Sequence, residues 1–233
     1  MSATDDQKRA AGEAAAELIE AGMTIGLGTG STADWFVRAL AERRLDVLCV
    51  ATSEATATLA ATLGLHLATL DEVEAIDLTV DGADEIAPDL ALIKGAGAAL
   101  LREKLVWMAS KRCVVIADAR KPVAQLGAFS LPIEVVRFGH RHTAARITAA
   151  LAAHGVTAPP KLRLNPKGDG PAITDSGNVL YDAACGVIAD PPALAAALKD
   201  LVGVVEHGLF LGLAERALIA DGSGVTTLWP RGG

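Results

Sequence analysis

Three segments of the chain bring glycines together with hydroxyl, carboxylate or ammonium side chains. The first is Gly26-Leu27-Gly28-Thr29-Gly30-Ser31-Thr32, which follows an apolar run and opens a helical pattern. Glycines at such a turn let the backbone bend tightly and approach a ligand closely. Freed N–H groups and the helix dipole then favour an anion, typically a phosphate. Thr29, Ser31 and Thr32 add hydroxyl donors to Gly30. The spacing is not Gly-x-Gly-x-x-Gly and no Gly-Lys-Ser/Thr follows, which counts against a dinucleotide fingerprint and against a P-loop. The plainer alternative is a tight strand–helix turn with a serine N-cap.

The second segment, Asp81-Gly82-Ala83-Asp84-Glu85, crowds three carboxylates into five residues at the end of an apolar strand. In an open α/β sheet, ligands sit outside the carboxyl ends of the strands. Crowded carboxylates raise one another's pKa, so one can hold a proton near neutrality and do acid–base work. A solvated acidic turn and a magnesium-type site are the other two readings. The third segment is Lys94-Gly95-Ala96-Gly97-Ala98-Ala99-Leu100-Leu101-Arg102-Glu103-Lys104. Lys94 at a strand end can neutralise a developing oxyanion, assisted by loop N–H groups. Glu103 lies about a turn and a half into the helix that follows; its alternative is an exposed helical glutamate. Lys121 closes a further strand and could reach the same edge, as could Lys8, though each taken alone reads first as a surface lysine. His66, His140, His142, His154 and His207 form no metal-spaced cluster.

The elements that must position these residues alternate along the first 130 positions. Strands are predicted at 24–27, 47–51, 76–81 and 112–117. Helices are predicted over Ala33–Leu40, over 55–63 with Gly64 as C-cap, and over 98–109 with Leu101, Leu105 and Met108 on one face. This alternation argues for a mostly parallel sheet with helices on both faces. Around Gly127 to Pro132 the pattern changes, to strand 131–136, helix 143–153, short strands near 161–164, 172–174 and 179–181, helix 193–201 after Pro191-Pro192, and strand 204–206. That order is a β-α-β-β-α-β unit. Short apolar runs between Gly208 and Pro230 are expected to return to the first sheet.

Composition narrows the function classes. The chain has 233 residues, 51% hydrophobic and 21% charged, with a net charge of −7. A chain-wide basic footprint for nucleic acid is absent, and 3% aromatics make base-stacking platforms an unsuitable reading. No uncharged apolar run approaches the roughly 18–20 residues that cross a bilayer. Met1–Arg9 is polar and acidic, unlike a signal peptide. Cys49, Cys113 and Cys185 are far apart with no Cys-x-x-Cys pair, and read as buried free thiols of a reducing compartment. The expected location is the cytoplasm, with no nucleic-acid or membrane partner.

Taken together, the segments resemble type A ribose-5-phosphate isomerases nearly end to end. The resemblance is carried by Gly28-Thr29-Gly30-Ser31-Thr32-Ala33, by Asp81 to Glu85, by Lys94 to Lys104, and by Ala117-Asp118 leading to Lys121. Leu131-Pro132-Ile133-Glu134-Val135, Thr174-Asp175-Ser176-Gly177-Asn178 and Gly203-Val204-Val205-Glu206-His207-Gly208-Leu209-Phe210 add to it. It implies a Rossmann-like domain over 1–130 plus 206–233 with a smaller ferredoxin-like α+β domain, 131–205, inserted. It also implies interconversion of ribose 5-phosphate and ribulose 5-phosphate in the non-oxidative pentose phosphate pathway, no organic cofactor, no metal, and a homodimer or homotetramer.

The resemblance gives Glu103 the general-base role. It gives substrate binding to Thr29, Gly30, Ser31 and Thr32, to Asp81, Gly82, Ala83 and Asp84, to Lys94, Gly95, Ala96 and Gly97, and to Lys121, with Lys8 on the phosphate. On this reading Glu103 takes the C2 proton of the aldose and delivers it to C1. Lys94 and the loop N–H groups stabilise the enediolate oxygen, Asp81 and Asp84 bind hydroxyls, and Asp81 opens the ring. The chain departs from the family at Ala96, where the family usually has the middle one of three glycines. Alanine there is harmless at negative φ and strained at positive φ. Two competing readings, a coenzyme A transferase and a sugar-phosphate sensor of a transcription regulator, are separated by assay with acyl-coenzyme A and by the pairing of Glu103 with Lys94.

Overall fold

The computed structural model describes residues 2–231. In chain order the first elements are α1 (Ala3–Ala16), β1 (Thr24–Leu27), α2 (Ala33–Glu42), β2 (Leu48–Ala51), α3 (Glu54–Thr62) and β3 (His66–Leu67). Then come β4 (Leu78–Asp81), β5 (Glu85–Ile86), β6 (Leu92–Ile93), α4 (Leu100–Met108) and β7 (Cys113–Asp118). The next group is β8 (Leu131–Val135), α5 (His140–Ala153), β9 (Lys161–Leu162), β10 (Val179–Ala183), α6 (Pro191–Lys199) and β11 (Val204–His207). The last strands are β12 (Leu209–Phe210), β13 (Arg216–Asp221) and β14 (Gly224–Leu228).

The main sheet runs β14-β13-β7-β4-β1-β2-β3. Every neighbouring pair in it is parallel except β13–β14. Its central strands β1, β4 and β7 are buried on both faces, as a parallel sheet covered by helices must be, whereas the edge strands β3 and β14 are exposed. In β7, Val114 and Ile116 face one cluster with α1 and α2, through Ala11, Ala15, Phe36, Val37 and Leu40. Cys113, Val115 and Ala117 point the other way, towards Trp107 and Phe210. This is the period-2 alternation of a strand. The chain moves outward from β1 to β2 and β3, then returns to the opposite side of β1 with β4. The order therefore reverses between β1 and β4, and a crevice opens where the loops after those two strands diverge.

Residues 131–207 build a second, antiparallel sheet in the order β11-β8-β10-β9. Ile147, Leu151, Leu194 and Leu198 of α5 and α6 pack in one cluster with Leu131, Ile133, Val135, Val179 and Tyr181. A three-stranded sheet, β12-β6-β5, joins the two bodies.

Most expected elements are present, with shifts that have local causes. Helix α1 was not read from the sequence; it begins on a Ser2–Asp5 capping box and buries Ala11, Gly12, Ala15 and Ala16, small residues with a weak apolar signal. Helix α4 starts at Leu100 rather than at 98, because Ala98 has φ +61. Its expected apolar face is turned outward. Leu105 and Met108 are exposed, while Leu100, Glu103, Val106 and Trp107 are buried. The strand expected at 161–164 is reduced to β9, and the one at 172–174 to a single bridge between Ile173 and Val179. Cys49 and Cys113 are buried and Cys185 is half-buried. Burial pushes their thiols up to about 12, 12 and 11.

Candidate active site

The loop after β1 and the end of β4 meet at the crevice. Gly28 donates its N–H to Val80 O at 2.9 Å, and a side chain at Gly28 would overlap the Asp81 carboxylate. That close approach is why a glycine stands there. Asp81 is fully buried and its two oxygens are saturated. Oδ1 accepts the N–H groups of Thr29 at 3.1 Å and Gly82 at 2.7 Å. Oδ2 accepts Trp107 Nε1 at 3.1 Å and lies 3.0 Å from Lys94 Nζ.

Lys94 is 2% exposed and reaches from the end of β6 into this cluster. Its Nζ also lies 3.3 Å from Glu103 Oε1 and donates to Gly82 O at 2.6 Å. Phe210 and Trp107 place ring centroids 5.4 Å and 5.6 Å from the ammonium. Burial works against the Lys94 charge, but Asp81 and Glu103 outweigh it, and its pKa is raised. The lysine stays cationic.

Glu103 is buried, not exposed as a helical glutamate would be. Its Oε1 meets Lys94, whereas Oε2 is buried with no hydrogen-bond partner among the described residues. Burial pushes its pKa up to about 8, against the pull of Lys94 and with some help from Asp81. A carboxylate with one oxygen unclaimed is a proton acceptor waiting for a donor.

Helix α4 is locked on both sides of Glu103. Lys104 Nζ donates to Glu206 Oε1 at 2.8 Å and to the carbonyls of His207 at 2.8 Å and Leu209 at 2.9 Å. Burial would raise Glu206, but Lys104 and Lys199 bring it down to about 2. Arg102 donates to Glu54 Oε1 at 2.7 Å and to Asp175 O at 3.0 Å. These bonds tie the helix on either side of Glu103 to Glu54 and Asp175 through Arg102, and to Glu206, His207 and Leu209 through Lys104.

A polar cavity of about 160 Å³ opens over this cluster. Lys8, Thr29, Gly30, Ser31, Thr32, Gly82, Ala83, Asp84, Lys94, Gly95, Ala96, Gly97, Glu103 and Lys121 all line it. Asp81, alone among the residues given a catalytic or substrate-binding role from the sequence, lies beneath the wall instead of on it. Lys8 Nζ donates to Ser31 Oγ at 2.9 Å, joining α1 to the first loop. The Thr29 hydroxyl is turned into a cluster with Thr52 at 2.7 Å and Ser53 at 2.8 Å. Asp84 accepts the Ala96 N–H at 2.9 Å, and burial raises its pKa in spite of that bond. Ala96 is not among the residues at positive φ; Gly95, at φ +113, is.

Ala33 and Arg120 also line the cavity and were not read from the sequence. Arg120 is tied to Asp118 at 2.7 Å. Its only sequence signal is its place beside Lys121. Among the described residues, no group of three or more His, Cys, Asp or Glu side chains is placed to hold a metal ion.

A Rossmann-like sheet with glycine loops at its reversal point, over a buried Asp–Lys–Glu cluster open to a small polar cavity, defines an α/β enzyme that moves protons on a small anionic ligand. Comparison with known proteins narrows that class. The family model of ribose 5-phosphate isomerase A (phosphoriboisomerase A) matches residues 48–224, and the chain belongs to that family. It is 66% identical to the ribose-5-phosphate isomerase A of Caulobacter sp. strain K31, over 97% of this chain and 99% of that one. The crystal structure of ribose 5 phosphate isomerase A from Neisseria gonorrhoeae superposes with a TM-score of 0.90 at 32% identity, covering 98% of each chain. A D-ribose-5-phosphate isomerase in complex with phospho-erythronic acid superposes at 0.91, 37% identical, over 98% of this chain and all of that one.

Proposed function

We infer that the chain is a ribose-5-phosphate isomerase, interconverting ribose 5-phosphate and ribulose 5-phosphate through an enediolate in the pentose phosphate pathway. The observation that carries the mechanism is Glu103 Oε2, buried and with no hydrogen-bond partner among the described residues, on the wall of a cavity that Lys8, Arg120 and Lys121 also line. The open-chain aldose lies with its phosphate among the Gly30–Thr32 loop, Lys8 and Lys121, and with C1 and C2 over Glu103. Glu103 removes the C2 proton and returns it to C1, while the C2 hydroxyl gives up its proton and the C1 oxygen gains one, so that the C1 aldehyde becomes a hydroxyl and C2 the carbonyl. Lys94 and the N–H groups of the 95–97 loop meet the negative charge that develops on the oxygen. Remote phosphate contacts hold the reacting carbons in place.

Asp81 works through Lys94, which it orients, and through Thr29 and Gly82, whose N–H groups it holds. Ring opening, expected of Asp81 from the sequence, is proposed instead for Asp84, because of the two only Asp84 lines the cavity. Burial raises its pKa above the ordinary carboxylate range, which favours its holding a proton.

The division into a catalytic unit, 1–130 plus 206–233, and a ferredoxin-like unit, 131–205, is part of the same reading. It is supported by the separate sheet of residues 131–207. A homodimer or homotetramer is proposed on the family resemblance and on exposed Leu105, Met108 and Phe138. A cytoplasmic location is proposed on three free thiols. No helix among the described residues is long and apolar enough to cross a membrane.

Purified protein is expected to convert ribose 5-phosphate to ribulose 5-phosphate, and in deuterated water to place deuterium at C1 in those turnovers in which the proton on Glu103 exchanges with solvent before its return. Phospho-erythronic acid, with a phosphate at one end and a carboxylate at the other, is expected to inhibit competitively. No turnover of ribose 5-phosphate by folded protein would overturn the assignment.

A further inference from the structure

The 95–97 loop is held from behind by the small sheet, through one side chain. Arg163 follows β9 and does not line the cavity. Its Nη1 donates to two successive carbonyls, Gly95 O at 2.9 Å and Ala96 O at 3.1 Å. Its Nε donates to Asp182 Oδ2 on β10 at 2.9 Å, and Nη2 donates to the other carboxylate oxygen. The guanidinium is thus fixed by β10 on one edge and grips the loop with the other.

A trans peptide directs its C=O and its N–H to opposite sides. The Gly95 carbonyl and the Ala96 N–H belong to one peptide unit. With the oxygen on Arg163, the N–H faces the cavity side and meets Asp84 Oδ2 at 2.9 Å. The Ala96 carbonyl and the Gly97 N–H form the next unit. With that oxygen also on Arg163, the Gly97 N–H is turned to the cavity side, and it has no acceptor among the described residues. Released from Arg163, either unit could rotate and present a carbonyl oxygen where a donor is needed.

We propose that Arg163 is a positioning residue for the isomerisation, holding the Gly97 N–H towards the oxygen that becomes anionic and the Ala96 N–H on Asp84, with Asp182 fixing its guanidinium. The proposal rests on the isomerase reading above. Donors aimed in advance at a developing oxyanion lower the barrier without reorganising during the reaction. A group that aims them therefore acts on kcat and leaves phosphate binding alone.

The test compares wild type, Arg163→Ala, Arg163→Lys and Asp182→Asn for kcat, KM, melting temperature, and inhibition by phospho-erythronic acid and by inorganic phosphate. Arg163→Ala is expected to lower kcat by about 10- to 100-fold, the scale of a small misplacement of reacting groups. Inhibition by phospho-erythronic acid, whose carboxylate takes the place of the anionic oxygen, weakens with it. Inhibition by inorganic phosphate does not change. Arg163→Lys recovers part of the loss, since an ammonium lacks the planar fork that serves carbonyls and carboxylate together. Asp182→Asn loses less than Arg163→Ala.

A folded Arg163→Ala with kcat within about twofold of wild type, or a loss confined to KM and shared by phosphate, overturns the proposal. Should the alanine variant not fold, Arg163→Lys carries the same test, and an unchanged kcat there overturns it equally. An inactive wild type would instead overturn the isomerase reading, and the proposal with it.

Discussion

Glu103 shows how much one side chain's surroundings decide. In the sequence it is a glutamate on a charged stretch of helix; in the fold it is buried beside Lys94 with one oxygen unclaimed. Its folded pKa of about 8 stands above the ordinary 4.5, so between those values the folded chain holds a proton that the unfolded chain has lost. Stability contributed by this group is therefore full below about 4.5 and declines as pH rises towards 8. Activity runs the opposite way, because the base must be ionised: kcat/KM is expected to climb along a single-proton limb centred near pH 8. Glu103→Gln keeps the size but cannot accept the proton. It should lose about 10²–10⁴ in turnover and abolish the decline in melting temperature across that pH window; near-normal turnover would remove Glu103 from the chemistry. Lys121 is half-buried on the cavity wall. If it meets the phosphate equally in ground and transition states, Lys121→Ala raises KM and spares kcat. A fall in kcat at constant KM would instead place Lys121 at the reacting carbons.

At the scale of elements, the 94–97 loop joins strand β6 to helix α4 and sorts its residues by backbone. Ala96 sits outside the positive-φ region, so its methyl group is tolerated where the family usually carries glycine. Ala96→Gly is expected to change turnover by less than a few-fold and to lower stability by about 0.4–1 kcal/mol, through a freer unfolded chain. Gly95 is the contrary case: at φ +113, an added Cβ would stand 2.9 Å from Leu100 Cδ2. Gly95→Ala should therefore lower both melting temperature and kcat well below the Ala96→Gly values. Equal behaviour of the two variants, or a tenfold gain from Ala96→Gly, would mean that the loop is shaped otherwise. Helix α4 carries the lesson about periodicity. Leu101, Leu105 and Met108 do share a face, but the helix buries the face with Glu103 and Trp107, because those two side chains close the cluster around Asp81 and Lys94.

Across the whole molecule, charge is arranged against the chain's own net sign. An acidic protein of −7 places Lys8, Lys94, Arg120 and Lys121 around one cavity. Low-dielectric walls let such a local field act on an anion whatever the total charge. The same arrangement bears on metals. Lys94 Nζ, 3.0 Å from Asp81 and 3.3 Å from Glu103, already occupies the place a bridging cation would take. Isomerisation is expected to survive exhaustive EDTA treatment and desalting; a large loss restored only by magnesium or manganese would revive the metal reading of Asp81–Glu85.

The sequence by itself determined the alternation of β and α elements, the parallel sheet, the β-α-β-β-α-β unit and the three segments that meet at the cavity. Those features are written in local patterns: strand and helix periods, glycines before helices, acidic residues at a strand end. The tertiary structure alone decided that Asp81 lies under the cavity wall and Asp84 on it, although three residues apart on the same segment. It alone decided that Glu103 is buried, that small-residue helix α1 covers the sheet, and that Arg163 reaches the 95–97 loop. Each of these is a contact between positions distant in the chain. Burial, pKa and hydrogen-bond partners belong to such contacts, and no local spacing encodes them.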